Sequence, residues 1–175
     1  MMQRILVTGG AGFIGSHTVD LLLQQGADVV VLDNLSSGKL NNVNLRHPNL
    51  EFIEGDILEL PFVEELIASC DAVLHLAAIT SVPVSIEDPI YSFQINTQGV
   101  LHMLEGIRKA RRPIRFVYAS SAAVYGNTTE LPCRDDRVIQ TAAVSPYALQ
   151  KTPSGRVCKI ICRFTQRNES RLALF

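Results

Sequence analysis

The chain has 175 residues, 47% hydrophobic and 19% charged, with a formal net charge of −1, a length that fits one domain able to bury its own core. A charge so near zero creates no field to draw in nucleic acid or an anionic membrane surface. No apolar run reaches membrane-spanning length or resembles a secretory leader, so no membrane partner and a cytoplasmic location are expected.

The first element, "RILVTG" (4–9), is a short β-branched run that stops at glycine. The next, "FIGSHTVDLLLQQG" (13–26), sets Ile14, Val19, Leu22 and Leu23 on one helical stripe before Gly26 ends it. Between them lies Gly9-x-x-Gly12-x-x-Gly15. Gly9 allows a tight turn out of the strand, Gly12 lets backbone approach a pyrophosphate at the helix N-terminus, and Gly15 permits close packing of helix and sheet. "DVVVLD" (28–33) follows as a fully apolar strand ending in Asp33, 18 residues after Gly15. A carboxylate there accepts hydrogen bonds from adenosine ribose hydroxyls and repels a 2′-phosphate, so NAD is expected rather than NADP.

"LEFIEGD" (50–56) and "DAVLHLAA" (71–78) repeat the strand pattern. Strands apolar on both faces and separated by helical stretches predict an α/β fold: a Rossmann-type, doubly wound parallel sheet. A long helical stretch over 89–112 leads to a fifth strand, "IRFVYASS" (114–121). His17 and His75 sit in or beside apolar elements and are expected to be packed, hydrogen-bonded histidines. Residues 126–146 are polar and turn-rich, and predict a long functional surface loop. Cys70, Cys133, Cys158 and Cys162 are scattered, and the last two lack the second ligand pair of a zinc site. Free thiols and no metal are expected.

Tyr147 and Lys151 stand four apart in "SPYALQK" and share a helix face. An ammonium beside a phenol favours the phenolate and makes the tyrosine a usable general base. "ASSAAVYG" puts Ser120 and Ser121 at the end of the fifth strand, so hydroxyl, phenol and ammonium are expected to converge at the carboxyl end of the sheet, where ligands of such folds bind. From Thr152 the character changes. Pro153 and Gly155 should break or kink the helix near Lys151 and leave Val157, Ile160, Ile161 and Phe164 without cover.

"TGGAGFIGSH", "LDNLSSGK", "EGDI", "HLAA", Asn96, "SSAAVYG" and "SPYALQK", taken in order over residues 3–151, resemble the extended short-chain dehydrogenase/reductase family in its nucleotide-sugar epimerase/dehydratase branch, and most of all its UDP-glucose 4-epimerase group and the N-acetylhexosamine-accepting relatives. The resemblance implies an NAD-binding Rossmann domain at 1–151. In it Gly9, Gly12, Phe13, Ile14, Gly15, Asp33, Asn34, Asp56, Ile57, Ala77, Ala78, Asn96, Tyr147 and Lys151 serve the cofactor. Asp56 and Ile57 would contact adenine, and Asn96 would brace the strand ends. Read without the family, Asp56 is a turn residue and Asn96 a polar residue inside a helix. Tyr147, Lys151 and Ser121 would be catalytic, with Ser121 and Tyr147 also touching a UDP-linked sugar.

Dehydratases and decarboxylases of this branch carry acidic residues just after the catalytic hydroxyl. Ala122 and Ala123 stand there in this chain, which favours 4-epimerisation by transient C4 oxidation. Helices 89–112 and the one starting at Ser145 would form a homodimer face. Family members are about twice as long, so a C-terminal substrate lobe is expected to be missing. Residues 152–175 then read as an atypical tail of a truncated or frame-altered product, with a non-catalytic NAD-binding module as the alternative function and a sugar-nucleotide dehydrogenase or reductase as a remote one.

Overall fold

The computed structural model describes residues 3–128, 132, 143–152 and 154, and the backbone of 173–174. Most of the 126–146 loop lies outside the described residues, as do Cys133, Pro153, Val157, Cys158, Ile160, Ile161, Cys162 and Phe164.

Strands β1 (Arg4–Thr8), β2 (Asp28–Asp33), β3 (Leu50–Glu54), β4 (Ala72–His75), β5 (Arg115–Tyr118) and β6 (Ala173–Leu174) form a parallel sheet of order β3-β2-β1-β4-β5-β6. The order reverses beside β1, and ligands of such sheets bind at that switch point, beyond the carboxyl ends of the strands. Residues alternate between two cores, as period-two side chains must. Ile5, Val7, Val29 and Val31 pack on one face with Val19 and Leu23 of α1 (Phe13–Gln24). Leu6, Val30, Leu32 and Phe116 pack on the other with Ile67 of α2 (Leu60–Ala68) and with Met103 and Leu104 of α5 (Gly99–Ala110).

Several boundaries differ from the sequence reading, each because a neighbouring strand has run out. Leu76 N–H donates to Thr8 O, and beyond that β1 has turned away at Gly9, so β4 stops at His75 and "LAA" is loop. Ala119 N–H donates to His75 O, and past His75 β4 no longer runs beside β5. The β6 pairing, Val117 with Ala173 and Tyr118 with Leu174, adds a sixth strand that the tail's composition did not announce.

The long helix is three segments: α4 (Pro89–Phe93), a π turn (Gln94–Gln98) and α5. Asp88 caps α4 by accepting the Tyr91 N–H, and Pro89 opens it. Ahead of it α3 (Val82–Glu87), unannounced by periodicity, is capped by the Ser81 hydroxyl. Residues 146–152 form α6; Ser154 is helical too, so the helix does not stop at Lys151. The Ser154 hydroxyl lies 2.7 Å from Gln150 O and 3.2 Å from Asn96 O, which ties this end of α6 to the π turn.

Of the expected α1 stripe, Val19 and Leu23 are buried but Ile14 is 66% exposed. The first turn of α1 overhangs a cavity instead of the sheet. His17 is also exposed, with its ring edge-on to Phe13, contrary to the packed histidine expected. Among the described residues, no helix is long and apolar enough to cross a membrane.

Candidate active site

A cavity of about 570 Å³ opens at the carboxyl ends of β1, β2 and β4. Its floor is the β1–α1 turn. Gly9 has φ +71°, and a Cβ there would stand 2.7 Å from Ala77 N, so only glycine lets the turn pass beneath the β4 end. Gly15 faces the same turn: its Cβ would run into the Gly9 carbonyl oxygen. The close packing that Gly15 permits is therefore against the turn itself, while Gly10 makes the approach to the sheet at Val31. Gly12 N-caps α1 without a side chain, leaving the first N–H groups of the helix facing the cavity. That is the donor set an anionic pyrophosphate requires.

Asp33 closes the β2 end of the cavity and is largely buried. One carboxylate oxygen accepts the Ala11 N–H at 2.9 Å and the other the Leu35 N–H at 2.8 Å, which fixes the group while each oxygen keeps a lone pair. Asn34 also lines the cavity and donates to Asp56, whose other oxygen accepts the Leu58 N–H. Asp56 thus shapes the turn and orients Asn34, and the wall there is Gly55 and Ile57. Phe13, Ile14, Ala77 and Ala78 complete the lining among the residues singled out from sequence. Thr80, Ser81 and Tyr91 also line it; their one legible signal was the Ser81 cap ahead of a proline.

Asn96, Ser121, Tyr147 and Lys151 stand outside that lining. Asn96 is buried, and its side chain both accepts from Ile79 N–H and donates to Ile79 O at 2.9 Å, clamping the segment after β4. Lys151 is buried and donates to Ala119 O at 3.1 Å, at the end of the strand next to β4. Its ammonium lies 4.8 Å from the Tyr118 ring centroid and 6.0 Å from that of Tyr147. Ser121 caps a 3-10 turn (Ala122–Tyr125), its hydroxyl accepting the Ala123 N–H. Hydroxyl, phenol and ammonium thus belong to segments meeting at or just beyond the β5 end.

Beneath Lys151, His75 is fully buried, with Nδ1 2.7 Å from Thr8 Oγ1, which also accepts the Ala77 N–H. Burial, helped by the Lys151 charge, lowers its pKa to about 3. An unfolded histidine titrates near 6.5. Between those values the unfolded chain binds the extra proton, so stability is complete above about pH 6.5 and is lost as pH falls toward 3. Denaturant unfolding at pH 7 and pH 5 should show a loss of about 2 kcal/mol from this residue. His75→Gln should remove that part of the pH dependence. Among the described residues Cys70 is a buried free thiol, and no group of three or more histidine, cysteine, aspartate or glutamate side chains could hold a metal ion.

The family model for GDP-mannose 4,6 dehydratase matches residues 6–166. UDP-glucose 4-epimerase of Lacticaseibacillus casei is 41% identical over 163 residues, 89% of this chain and 46% of that protein. Two solved structures superpose closely. UDP-glucose 4-epimerase of Thermus thermophilus, in complex with NAD, gives a TM-score of 0.85 at 35% identity over 98% of this chain and 53% of that one. UDP-N-acetylglucosamine 4-epimerase of Methanobrevibacter ruminantium, in complex with UDP-N-acetylmuramic acid, gives 0.89 at 33% identity over 99% and 54%. The chain spans about half the length of the curated relatives it matches. With a matching family model over most of its length and the sheet order and glycine turn in place, the chain belongs to the GDP-mannose 4,6 dehydratase family.

Proposed function

We propose that the chain supplies the NAD site and the acid–base residues of a UDP-sugar 4-epimerase. The observation that carries this reading is the docking of Lys151 on Ala119, which sets the Tyr147 helix one strand over from the Ala77–Ala78 wall of a cavity ended by Asp33. Residues 1–151 form the dinucleotide-binding unit, and 152–175 extend beyond it. When bound, NAD would be held by the glycine turn, Asp33 and the Ala77–Ala78 wall and would supply the hydride acceptor and donor for C4 of the sugar. Tyr147, directly or through Ser121, takes the proton of the C4 hydroxyl and gives it back, and Lys151 holds a positive charge beside that phenol. Ala122 and Ala123 cannot move a proton, so this chain has no acid there for the elimination of water that dehydration requires. Incubating the protein with UDP-galactose and with UDP-N-acetylglucosamine, then resolving the products, tests the reading. Product from either sugar supports it; NAD binding without turnover supports a binding module instead.

Asp33 supplies the cofactor preference. Asp33→Ala should weaken NAD binding about tenfold or more, through loss of the ribose hydrogen bonds and of the anchor on Ala11 and Leu35. The preference for NAD over NADP should narrow, as the repulsion of a 2′-phosphate goes too. Calorimetric titration with both cofactors checks this, and equal affinities in the unaltered protein would sink the assignment.

A homodimer is part of the same reading. Ile90 is 74%, Phe93 52% and Leu149 62% exposed, so α4 and α6 both present large apolar side chains to solvent. Light scattering should give a dimer, and Phe93→Asp should yield the monomer.

A further inference from the structure

We propose that Gln150 is a positioning residue, which keeps the helix bearing Tyr147 and Lys151 in register with the cavity wall at Ile79 by accepting hydrogen bonds from Asn96 and Ser92. The inference rests on the dinucleotide reading of the cavity above. Gln150 stands between the two residues of the Tyr-x-x-x-Lys pair, yet is 3% exposed and faces α4 and the π turn. Its side-chain oxygen accepts from Asn96 Nδ2 at 2.8 Å and from Ser92 Oγ at 2.8 Å, which uses both lone pairs.

The orientation of that amide is dictated from a distance. Ile79 N–H fixes which end of Asn96 is oxygen; the Asn96 nitrogen then has two N–H groups, one spent on Ile79 O and the other aimed at Gln150. An oxygen is the atom that Gln150 can offer there. A continuous chain of hydrogen bonds therefore runs from the cavity wall through Asn96 to the Tyr147 helix. One turn further on, the Ser154 hydroxyl sits 2.7 Å from Gln150 O and 3.2 Å from Asn96 O, with one proton to share between them.

A buried amide is costly unless satisfied, and an apolar side chain would fill the space at less desolvation cost. What the amide adds is direction. Successive residues on a helix are about 100° apart, so a one-residue slip of α6 would swing Tyr147 and Lys151 off their face and also cost Gln150 both donors. The same chain works in reverse: whatever holds Ile79 against a ligand in the cavity stiffens α6.

The test uses the full chain with Gln150→Met, which keeps the volume and loses the acceptor, and Gln150→Glu, whose carboxylate oxygen accepts the same two bonds. Two quantities are measured: hydrogen exchange of the Ile79 amide without ligand, and NAD affinity by calorimetry. Gln150→Met should speed Ile79 exchange and weaken NAD binding, each by about tenfold, although Gln150 is not itself among the residues lining the cavity; Gln150→Glu should restore both. Unchanged exchange in Gln150→Met, or a Glu variant no better than Met, overturns the proposal. If Gln150→Met does not fold, Gln150→Asn, one methylene too short, should give the same losses, and wild-type exchange there is equally fatal. Absence of NAD binding in the unaltered chain would defeat the dinucleotide reading alone, because exchange at Ile79 reports the Gln150 link without it.

Discussion

On the proposed 4-epimerase reading, Tyr147→Phe should lower the interconversion of UDP-glucose and UDP-galactose by ~10²–10⁴-fold, the usual cost of deleting a general acid–base group. The loss should fall on turnover while NAD affinity changes little, because the Tyr147 side chain lies outside the cavity lining and the ring itself remains. The fold should be unaffected: the variant keeps the buried ring and the neighbouring Lys151 ammonium 6.0 Å from its centroid. Lys151→Met is the harsher change, since it also empties the Ala119 carbonyl of its donor. Near-normal turnover in Tyr147→Phe would show that another group carries the proton.

The second large effect is at Gly15, where the expected loss is of the fold around the cavity. A side chain there collides with the Gly9 carbonyl oxygen and comes within 2.7 Å of Gly10 Cα. Both are backbone, so relief requires opening the turn. Overpacking of that kind costs ~1–3 kcal/mol when side chains can yield, and more is expected here, a large part of the ~5–15 kcal/mol of a typical domain. Gly15→Val should unfold at markedly lower denaturant and bind no NAD. Gly26→Ala is the control: Gly26 has φ +81° but nothing within 4 Å of a Cβ. It should cost only the left-handed backbone strain, ~1–2 kcal/mol, and leave NAD affinity unchanged. A loss in Gly15→Val no larger than that in Gly26→Ala would mean that the turn opens to admit a side chain at little cost.

The first half of the cavity was legible because its information is local. Strand, glycine turn, helix, strand and Asp33 follow one another within residues 4–33, and each constrains the next over a few positions. The second half depends on contacts no window can see. Asn96 meets Ile79 across 17 residues and Gln150 across 54, so neither the clamp nor the π turn that carries it leaves a periodic trace. Ile14 fits the apolar stripe of α1, but periodicity does not reveal that the first helical turn projects over a cavity, where an apolar side chain stays exposed. Asp56 is legible as polar and near the site; that its carboxylate orients Asn34 is set by a fold that brings the ends of β2 and β3 together.

The position of β1 between β2 and β4 has a kinetic consequence. β1, α1 and β2 are consecutive in the chain and can pair early, but Thr8 meets His75 across 67 residues. Loop-closure entropy grows with that separation and must be met before the contact rewards it, which slows assembly. The glycine turn therefore exists as half a cradle until β4 arrives with Ala77. A dinucleotide that requires both walls has little affinity for the earlier form, so its binding energy, growing as RT ln(1 + [L]/Kd), acts on the closed sheet alone. Cofactor supply during refolding should then slow unfolding of finished molecules and leave the formation of β1–β2 untouched.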